Sequence, residues 1–394
     1  MHRTISIPEA VRAELVGVPE TATIAVGLSG GVDSTMTATW LHAAGYRVVG
    51  LMMSIWDGSI PLPDSVTGGC FGPGEVHERT KVESLCRELE IPLHIVPLSD
   101  RYRDEVLDYV RSEYRAGRTP NPCVRCNYRM KLGHLLASAR ESGIQFDLFA
   151  TGHYARRRWD PERRRYRLFR AVDRTKDQSY FLSHLRQTQL ASLVLPLGSV
   201  TKSDVKRWAE EVGLRTFARQ RESQDFLDGG DYSVLFDPSE ARPGPIVDLT
   251  GRVLGEHRGL MYYTVGQRKG LGIGGAAEPW YVVRIEPELN RLVVGRRSDA
   301  TRRWLRGTSA NWLAWERPPS SKFRAACQIR QRHEPAPATV YVDGDDSFRV
   351  EFDEPQFAIA PGQVVVLYEG DEVLGAGIIE GSYDLASHGP VEAL

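Results

Sequence analysis

The chain has 394 residues, 41% of them hydrophobic, which is long enough for two or three domains with separate cores. Its formal net charge of −1 excludes a uniformly basic nucleic-acid-binding protein, although a local basic patch stays compatible with it. Five cysteines and an N-terminus unlike a signal peptide indicate a cytoplasmic protein without a disulfide framework, and no apolar run approaches the roughly 18 residues of a membrane span.

From Thr21 to about Gly152 the sequence alternates short apolar runs with helical segments. The apolar runs lie at 23–28, 46–53, 91–98 and 146–153. Strands separated by helices predict an α/β domain with a parallel sheet covered on both faces and ligands at the carboxyl ends of the strands. We therefore expect Met53, which ends the second run, and Thr151-Gly152-His153, which end the fourth, to lie at the same edge as the end of the first.

The run Ala25–Ser34, AVGLSGGVDS, closes the first strand and opens a helix from about Asp33 to Gly45. Its glycines let the backbone approach an anion, and a helix start offers unpaired N–H groups and partial positive charge. The sequence therefore predicts a phosphate-binding loop. It is not the GxxxxGK[ST] type, because no lysine follows the last glycine, and a turn without a ligand is the alternative.

A pair of cysteines lies in the segment Arg118–Asn127, RTPNPCVRCN. A cysteine near a helix start with basic neighbours is expected to have a lowered pKa. On that basis we predict that Cys126, flanked by Arg125, Arg129 and Lys131, is largely thiolate near neutral pH and is a candidate nucleophile.

Other interpretations of the spacing C-x-x-C stay open at this point. A zinc site would need two further ligands, for which Cys70 and Cys86 are available but not suitably spaced. A thioredoxin-type redox pair and an inert structural pair are the remaining alternatives.

The second half of the chain changes character. Helices continue through 203–212, after which glycine and proline become frequent, and from about Arg302 evenly spaced β-strands predict a small barrel. We therefore expect an α/β domain over residues 1–218, a central Gly-rich domain over 219–300 and a C-terminal β-barrel over 301–394.

Eight arginines between Arg156 and Arg170 alternate with aromatic residues and predict a hairpin that turns at Asp160-Pro161. Arginine next to aromatic side chains is suited to RNA phosphates and unstacked bases. A solvated hairpin without RNA contacts is the equal alternative.

Several stretches in this order resemble the tRNA-specific 2-thiouridylase family of PP-loop ATP pyrophosphatases. They are GLSGGVDS (27–34), AGRTPNPCVRCN (116–127), ATGHYAR (150–156), KDQSYFL (176–182), ESQDF (222–226), YTVGQRKGLGIGG (263–275) and PWYVV (279–283). The resemblance implies ATP-dependent replacement of the C2 oxygen of a tRNA wobble uridine by sulfur, with AMP and pyrophosphate released. It also implies a cysteine desulfurase or persulfide-relay protein as the sulfur donor.

The resemblance also implies roles for residues. ATP, with Mg²⁺ on its phosphates, would be held by Gly27, Leu28, Ser29, Gly30, Gly31, Val32, Asp33, Ser34, Met53 and Gly152. Cys126 matches the nucleophile. The tRNA contacts would be Asn121, Pro122, Cys123, His153, Lys176, Asp177, Gln178, Arg330, Gln331 and Gln363.

The chain departs from the family at one catalytic position. Members usually carry a second cysteine two residues beyond the ESQD stretch, and here that position is Leu227. We hypothesise that Cys123 and Cys126 either divide the persulfide and resolving roles or hold a [4Fe–4S] cluster with help from Cys70 or Asp225. A PP-loop ligase acting on a small molecule and a catalytically impaired RNA-binding paralogue are the competing functions.

Overall fold

The computed structural model describes residues 5–62, 69–219, 226–227, 231–274 and 278–384. Within it the chain forms two compact units. Unit 1 consists of Met1–Val106 and Cys123–Asp231, and unit 2 consists of Leu107–Pro122 and Tyr232–Leu394.

Unit 1 is built on a five-stranded sheet in which every pair is parallel. The strands of this unit are β1 Thr23–Gly27, β2 Arg47–Ser54, β3 Leu93–Pro97, β4 Leu148–Ala150, β5 Ala155–Asp160, β6 Arg165–Arg170 and β7 Leu193–Val194. Strands β5 and β6 form a hairpin, and the other five form the sheet. The order across the sheet is β3-β2-β1-β4-β7. The middle residues of β1, Ile24–Val26, are wholly buried, as a strand covered on both faces requires. The predicted parallel α/β domain is confirmed.

Short helices connect these strands and continue beyond them. The α-helices are α1 Glu9–Glu14, α2 Val32–Ala43, α3 Glu75–Glu88, α4 Ser99–Tyr102, α5 Asp108–Arg115, α6 Pro122–Arg125, α7 Leu135–Glu141, α8 Gln187–Ser192, α9 Lys202–Glu211 and α10 Arg215–Ala218. Two stretches, Arg103–Leu107 and Cys126–His134, are π-helical, a form that is often found at functional sites. Among the described residues, no helix is both long and apolar enough to cross a membrane.

Unit 2 contains a four-stranded sheet and a closed barrel. Their strands are β8 Gly244–Val247, β9 Val253–His257, β10 Tyr281–Glu286, β11 Arg291–Gly295, β12 Thr301–Trp312, β13 Lys322–Gln328, β14 Ala336–Val342, β15 Ser347–Phe357, β16 Val364–Glu369 and β17 Glu372–Tyr383. The barrel runs β12-β15-β14-β13-β16-β17, and β12 also pairs with β17, which closes it. Inward-facing residues such as Phe348, Phe352 and Val365 are fully buried. The predicted barrel is confirmed.

The segment Leu107–Pro122 packs with unit 2, although its sequence lies between two parts of unit 1. The Thr119 N–H donates to the Pro361 carbonyl at 2.7 Å. The Gln363 side-chain amide donates to the carbonyls of Thr119 at 3.1 Å and Pro120 at 2.9 Å. These bonds fix the backbone immediately before Asn121.

Candidate active site

The predicted phosphate loop lies between β1 and α2. Strand β1 ends at Gly27, and α2 begins at Val32, one residue before the predicted start. The Ser34 hydroxyl accepts from the Ser29 N–H at 3.2 Å and donates to the Gly31 carbonyl at 3.1 Å, so the loop closes on its own first helical turn. The free N–H groups of that turn suit an anion.

Two glycines make this arrangement possible. Gly30 has φ of +79°, in the left-handed region, where other residues are strained. A Cβ on Gly152 would lie 2.8 Å from the backbone of Asp33 and Ser34. The turn after β4 therefore abuts the start of α2, and Gly152 lies beside the loop as expected. Met53, near the end of β2, is half-buried at the same carboxyl edge of the sheet.

Asp33 is held by two side chains that the sequence pattern does not single out. Lys202 Nζ lies 2.5 Å from one carboxylate oxygen, and the Tyr154 hydroxyl donates to the other at 2.8 Å. Lys202 is buried at the start of α9, where the Thr201 hydroxyl caps the helix by accepting from the Asp204 N–H. The ion pair brings a buried cation to the first turn of α2, next to the expected phosphates.

A second carboxylate, that of Glu78 on α3, lies against the loop. A Cβ on Gly30 would overlap it. Its other oxygen accepts from Lys81 at 2.8 Å. Within the described part of the chain, no group of three His, Cys, Asp or Glu side chains is arranged to hold a metal ion.

Cys123 and Cys126 lie at the start of the helical stretch that follows the segment Leu107–Pro122. Cys123 lies in α6 and Cys126 is the first residue of the π-helix Cys126–His134, and both are partly exposed. None of the five cysteines, all of which lie in the described ranges, is in a disulfide.

The predicted lowering of the Cys126 pKa is wrong. Burial raises the pKa of this thiol to about 11, and Lys131 opposes the rise only in part. The two neighbouring arginines are occupied by one carboxylate, because Arg125 lies 3.0 Å and Arg129 3.7 Å from Glu105. The Glu105 carboxylate therefore largely neutralises the two arginines, and they do little to stabilise the Cys126 thiolate.

Lys131 is the cation that faces the thiols. Burial acts to lower its pKa, but the negative charges of Cys126, Cys70 and Cys123 outweigh burial and raise it. Lys131 also acts on His153, whose pKa falls to about 3, chiefly through burial. One ammonium group therefore interacts with three thiols and with the residue that follows Gly152, which connects the thiols to the edge of the phosphate loop.

Cys70 approaches this group from a distant part of the sequence. The N–H groups of Cys70 and Phe71 both donate to the Phe226 carbonyl, at 3.1 and 2.8 Å, and Phe71 forms a parallel bridge with Leu227. Leu227 is buried. The ESQD stretch, with the proposed ligand Asp225, lies outside the described residues.

Several expected tRNA contacts are bound within the protein. His153 is buried, and its Nδ1 lies 2.9 Å from the Thr151 hydroxyl. The Asp177 carboxylate accepts from Arg170 at 3.1 Å and from the Ser179 hydroxyl at 2.9 Å. The Gln178 side chain accepts from the Tyr154 N–H at 2.9 Å. All three side chains therefore already have hydrogen-bond partners within the protein.

The remaining expected contacts are more open. Lys176 and Asn121 are partly exposed and Gln331 is exposed, whereas Pro122 is buried. In unit 2, Arg330 donates to the Phe357 carbonyl at 3.0 Å.

The Arg156–Arg170 segment forms the predicted hairpin, with its turn at 161–164. Its arginines are partly committed to the protein: Arg158 pairs with Glu14 at 2.7 Å, and Arg157 donates to the Leu190 carbonyl at 2.8 Å. These contacts favour a structural role for the base of the hairpin.

Three protein-family models match the chain in succession. They are the tRNA methyl transferase HUP domain at residues 22–227, the tRNA methyl transferase PRC-barrel domain at 233–296 and the aminomethyltransferase beta-barrel domain at 302–379.

Similar whole proteins share one name. The chain is 42% identical over 358 residues to the tRNA-specific 2-thiouridylase MnmA of Endomicrobium trichonymphae, covering 90% of this chain and 98% of that protein. It is 45% identical over 360 residues to the MnmA of Moorella thermoacetica, with coverage of 90% and 98%. A solved complex of a 4-thiouridine synthetase with RNA and ATP aligns to 52% of this chain and 44% of its own, at 14% identity and a TM-score of 0.32, too low to support a conclusion.

Proposed function

The chain belongs to the tRNA-specific 2-thiouridylase family, and from that premise we propose how its own residues carry out the ATP-dependent thiolation of tRNA. The observation that supports the proposal is the link from phosphate loop to thiols within unit 1. Gly152 packs on the loop, and His153 beside it interacts with the lysine that faces the thiols.

We propose that the phosphate loop binds ATP and directs attack at its first phosphorus. The ATP contacts are Gly27, Leu28, Ser29, Gly30, Gly31, Val32, Asp33, Ser34, Met53 and Gly152. The C2 oxygen of the uridine attacks the α-phosphorus, pyrophosphate leaves, and the oxygen becomes part of a good leaving group, AMP. Mg²⁺ enters with the ATP phosphates as part of the substrate. Lys202 holds Asp33 in place and adds positive charge at the loop.

Sulfur transfer is assigned to the Cys126 thiolate, which Lys131 stabilises. When the sulfur comes from a persulfide, a second thiol is needed to break its S–S bond, and Cys123, three residues away, is one candidate. Cys70, Cys123 and Cys126 all interact with Lys131, but among the described residues no three His, Cys, Asp or Glu side chains are placed to hold one metal ion, so the proposed steps do not involve a [4Fe–4S] cluster.

We further propose that each unit contributes contacts to tRNA, in the cytoplasm, with sulfur supplied by a separate persulfide-carrying protein. The proposed contacts are Asn121, Pro122, Cys123, His153, Lys176, Asp177, Gln178, Arg330, Gln331 and Gln363. The buried or internally bonded members hold the surface in shape, and the exposed members meet phosphate or base.

A test of this function measures AMP formation and tRNA thiolation together. Purified protein with ATP, a persulfide and tRNA should form AMP and pyrophosphate only when tRNA is present, and Cys126→Ser should still form pyrophosphate but no thiolated tRNA. AMP formation without tRNA would indicate a small-molecule ligase. No AMP under any condition would indicate a binding paralogue.

A further inference from the structure

One thiol near the site has no part in the reaction as described so far. Cys70 is exposed, and it lies in the segment before α3, more than 50 positions from Cys126 in the sequence. Its backbone is nevertheless fixed. The Cys70 and Phe71 N–H groups share the Phe226 carbonyl, and Phe71 is buried and stacked on Tyr102 at 5.3 Å.

Phe71 stacks on Tyr102 of α4, and α4 packs against the π-helix that begins with Cys126, so the segment that carries Cys70 lies beside that helix. Phe71 and Leu227 point into the core, since both are almost fully buried, and their neighbour Cys70 is left at the surface. Residues 226–227 contain no thiol, but their backbone contacts fix the position of the segment that carries Cys70.

The electrostatic interactions of these side chains agree with that placement. The charge of Cys70 acts on both Cys126 and Lys131. Cys123 also acts on Lys131, but the thiol whose charge acts on Cys126 is Cys70. Because Lys131 faces both, it is placed to stabilise whichever of the two sulfurs is anionic.

We propose that Cys70 and Cys126 are the two thiols of sulfur transfer, with Cys70 carrying the persulfide and Cys126 resolving it. This assignment rests on the proposed function. The exposure of Cys70 suits it to receive sulfur from another protein, whereas the more enclosed Cys126 is suited to act only once substrate is bound.

The steps balance with two co-reactants, a persulfide and a dithiol reductant. Cys70 thiolate attacks the terminal sulfur of the donor R–S–SH, forming Cys70–S–SH and releasing R–S⁻. The deprotonated terminal sulfur attacks C2 of the adenylated uridine, so that a C–S bond forms and AMP leaves with the electron pair of the C–O bond. Cys126 thiolate then attacks the Cys70 sulfur and forms a Cys70–Cys126 disulfide.

The electron pair of the broken S–S bond passes to the sulfur on C2, which becomes the thiocarbonyl as N3 takes up a proton. The transferred sulfur has gained two electrons, and the two cysteines have lost them. A dithiol reductant restores both thiols for the next cycle.

The test is a single turnover of the full chain with ATP, tRNA and glutathione persulfide, without reductant. We expect Cys70→Ser to lower thiolation about 100-fold while tRNA-dependent pyrophosphate formation, which precedes sulfur attack, is retained. Inorganic sulfide, which needs no persulfide carrier, should restore thiolation in Cys70→Ser. The control is Cys86→Ala, because Cys86 is a buried cysteine of α3 and is not one of the three cysteines that interact with Lys131.

A second measurement needs no variant. Mass spectrometry of the unsubstituted protein after one turnover should find a disulfide between the peptides that contain Cys70 and Cys126. A disulfide between Cys123 and Cys126, or full persulfide-supported thiolation by Cys70→Ser, overturns the assignment. Absence of tRNA-dependent AMP in the unsubstituted protein would instead refute the proposed function.

Discussion

At the scale of single residues, the group around Lys131 determines when Cys126 becomes reactive. Its thiol has a pKa of about 11, so at neutral pH only a small fraction is thiolate. Lys131 is the cation that lowers this pKa, while burial raises it. The reactive form is therefore rare without further activation, and its amount depends on pH.

We expect the single-turnover rate of thiolation to rise about tenfold per pH unit between pH 7 and 10, since thiolate increases in that proportion below the pKa. Lys131→Met should move the profile to higher pH, because a charge that favours thiolate is lost, whereas Lys131→Arg should leave it nearly in place. The rates are measured by quenched-flow assay of thiolated tRNA. A rate that is flat above pH 7 in the unsubstituted enzyme would contradict the assigned pKa.

His153 makes stability depend on pH in the acid range. Its pKa is about 3 when folded and about 6.5 when unfolded, so below pH 6.5 the unfolded state binds a proton that the folded state does not. Stability is present above pH 6.5 and is lost as pH falls towards 3. In His153→Gln the slope of unfolding free energy against pH, from urea titrations between pH 6 and 4, should be smaller by about 1.4 kcal/mol per unit. An unchanged slope would show that His153 is protonated in the native state.

At the scale of elements, the π-helix Cys126–His134 is anchored at one acidic side chain. Glu105 lies 3.0 Å from Arg125, 3.7 Å from Arg129 and 3.6 Å from His134. Arg125 also donates through Nε to the Glu105 carbonyl. The carboxylate thus holds the helix that carries the thiols against the π-helical turn Arg103–Leu107.

Removing this charge should loosen the helix. Glu105→Gln keeps the size of the side chain but weakens its bonds to the cations, and we expect a loss of about 1–2 kcal/mol in unfolding free energy. The freed arginines should also lower the Cys126 pKa, which thiol alkylation against pH would detect. Glu83→Gln, which breaks an exposed pair with Arg79 on α3, is the control and should change neither quantity measurably.

The sequence predicted those features that depend on residues close together in the chain. The loop Ser29–Gly31 follows from a strand, two glycines and a helix start in order, and the barrel follows from alternating strands. Lys202 and Glu78 gave no such signal, because each reaches the site through folding of a distant segment, and the sequence suggested Cys70 only as a metal ligand. The same reason explains the wrong pKa for Cys126: Glu105, which occupies the arginines, is 20 positions before Arg125.

At the scale of the whole molecule, the segment Leu107–Pro122 belongs to unit 2 and comes directly before Cys123 and Cys126 of unit 1 in the chain. The Gln363 amide and the Pro361 carbonyl together hold Thr119 and Pro120. A residue near the start of β16 therefore fixes the backbone that enters Asn121 and Pro122.

Gln363→Ala should release that backbone. Two hydrogen bonds are lost, so we expect a loss of about 1–2 kcal/mol in stability and faster amide hydrogen exchange confined to residues near 117–122. The exchange is followed by mass spectrometry of peptides that cover this segment and, for comparison, the β14–β15 hairpin. Faster exchange spread evenly over the barrel would mean that Gln363 supports β16 rather than the segment.

The two hydrogen bonds of Gln363 also constrain how the protein is made. The acceptor carbonyls of Thr119 and Pro120 leave the ribosome long before their donor, which follows 244 positions after Thr119. A nascent chain that has completed only the parallel sheet still lacks the tether just ahead of its C-x-x-C sequence. The backbone that precedes Cys123 and Cys126 is therefore held by these hydrogen bonds only after the C-terminal barrel has been synthesised. A prematurely terminated product would lack them.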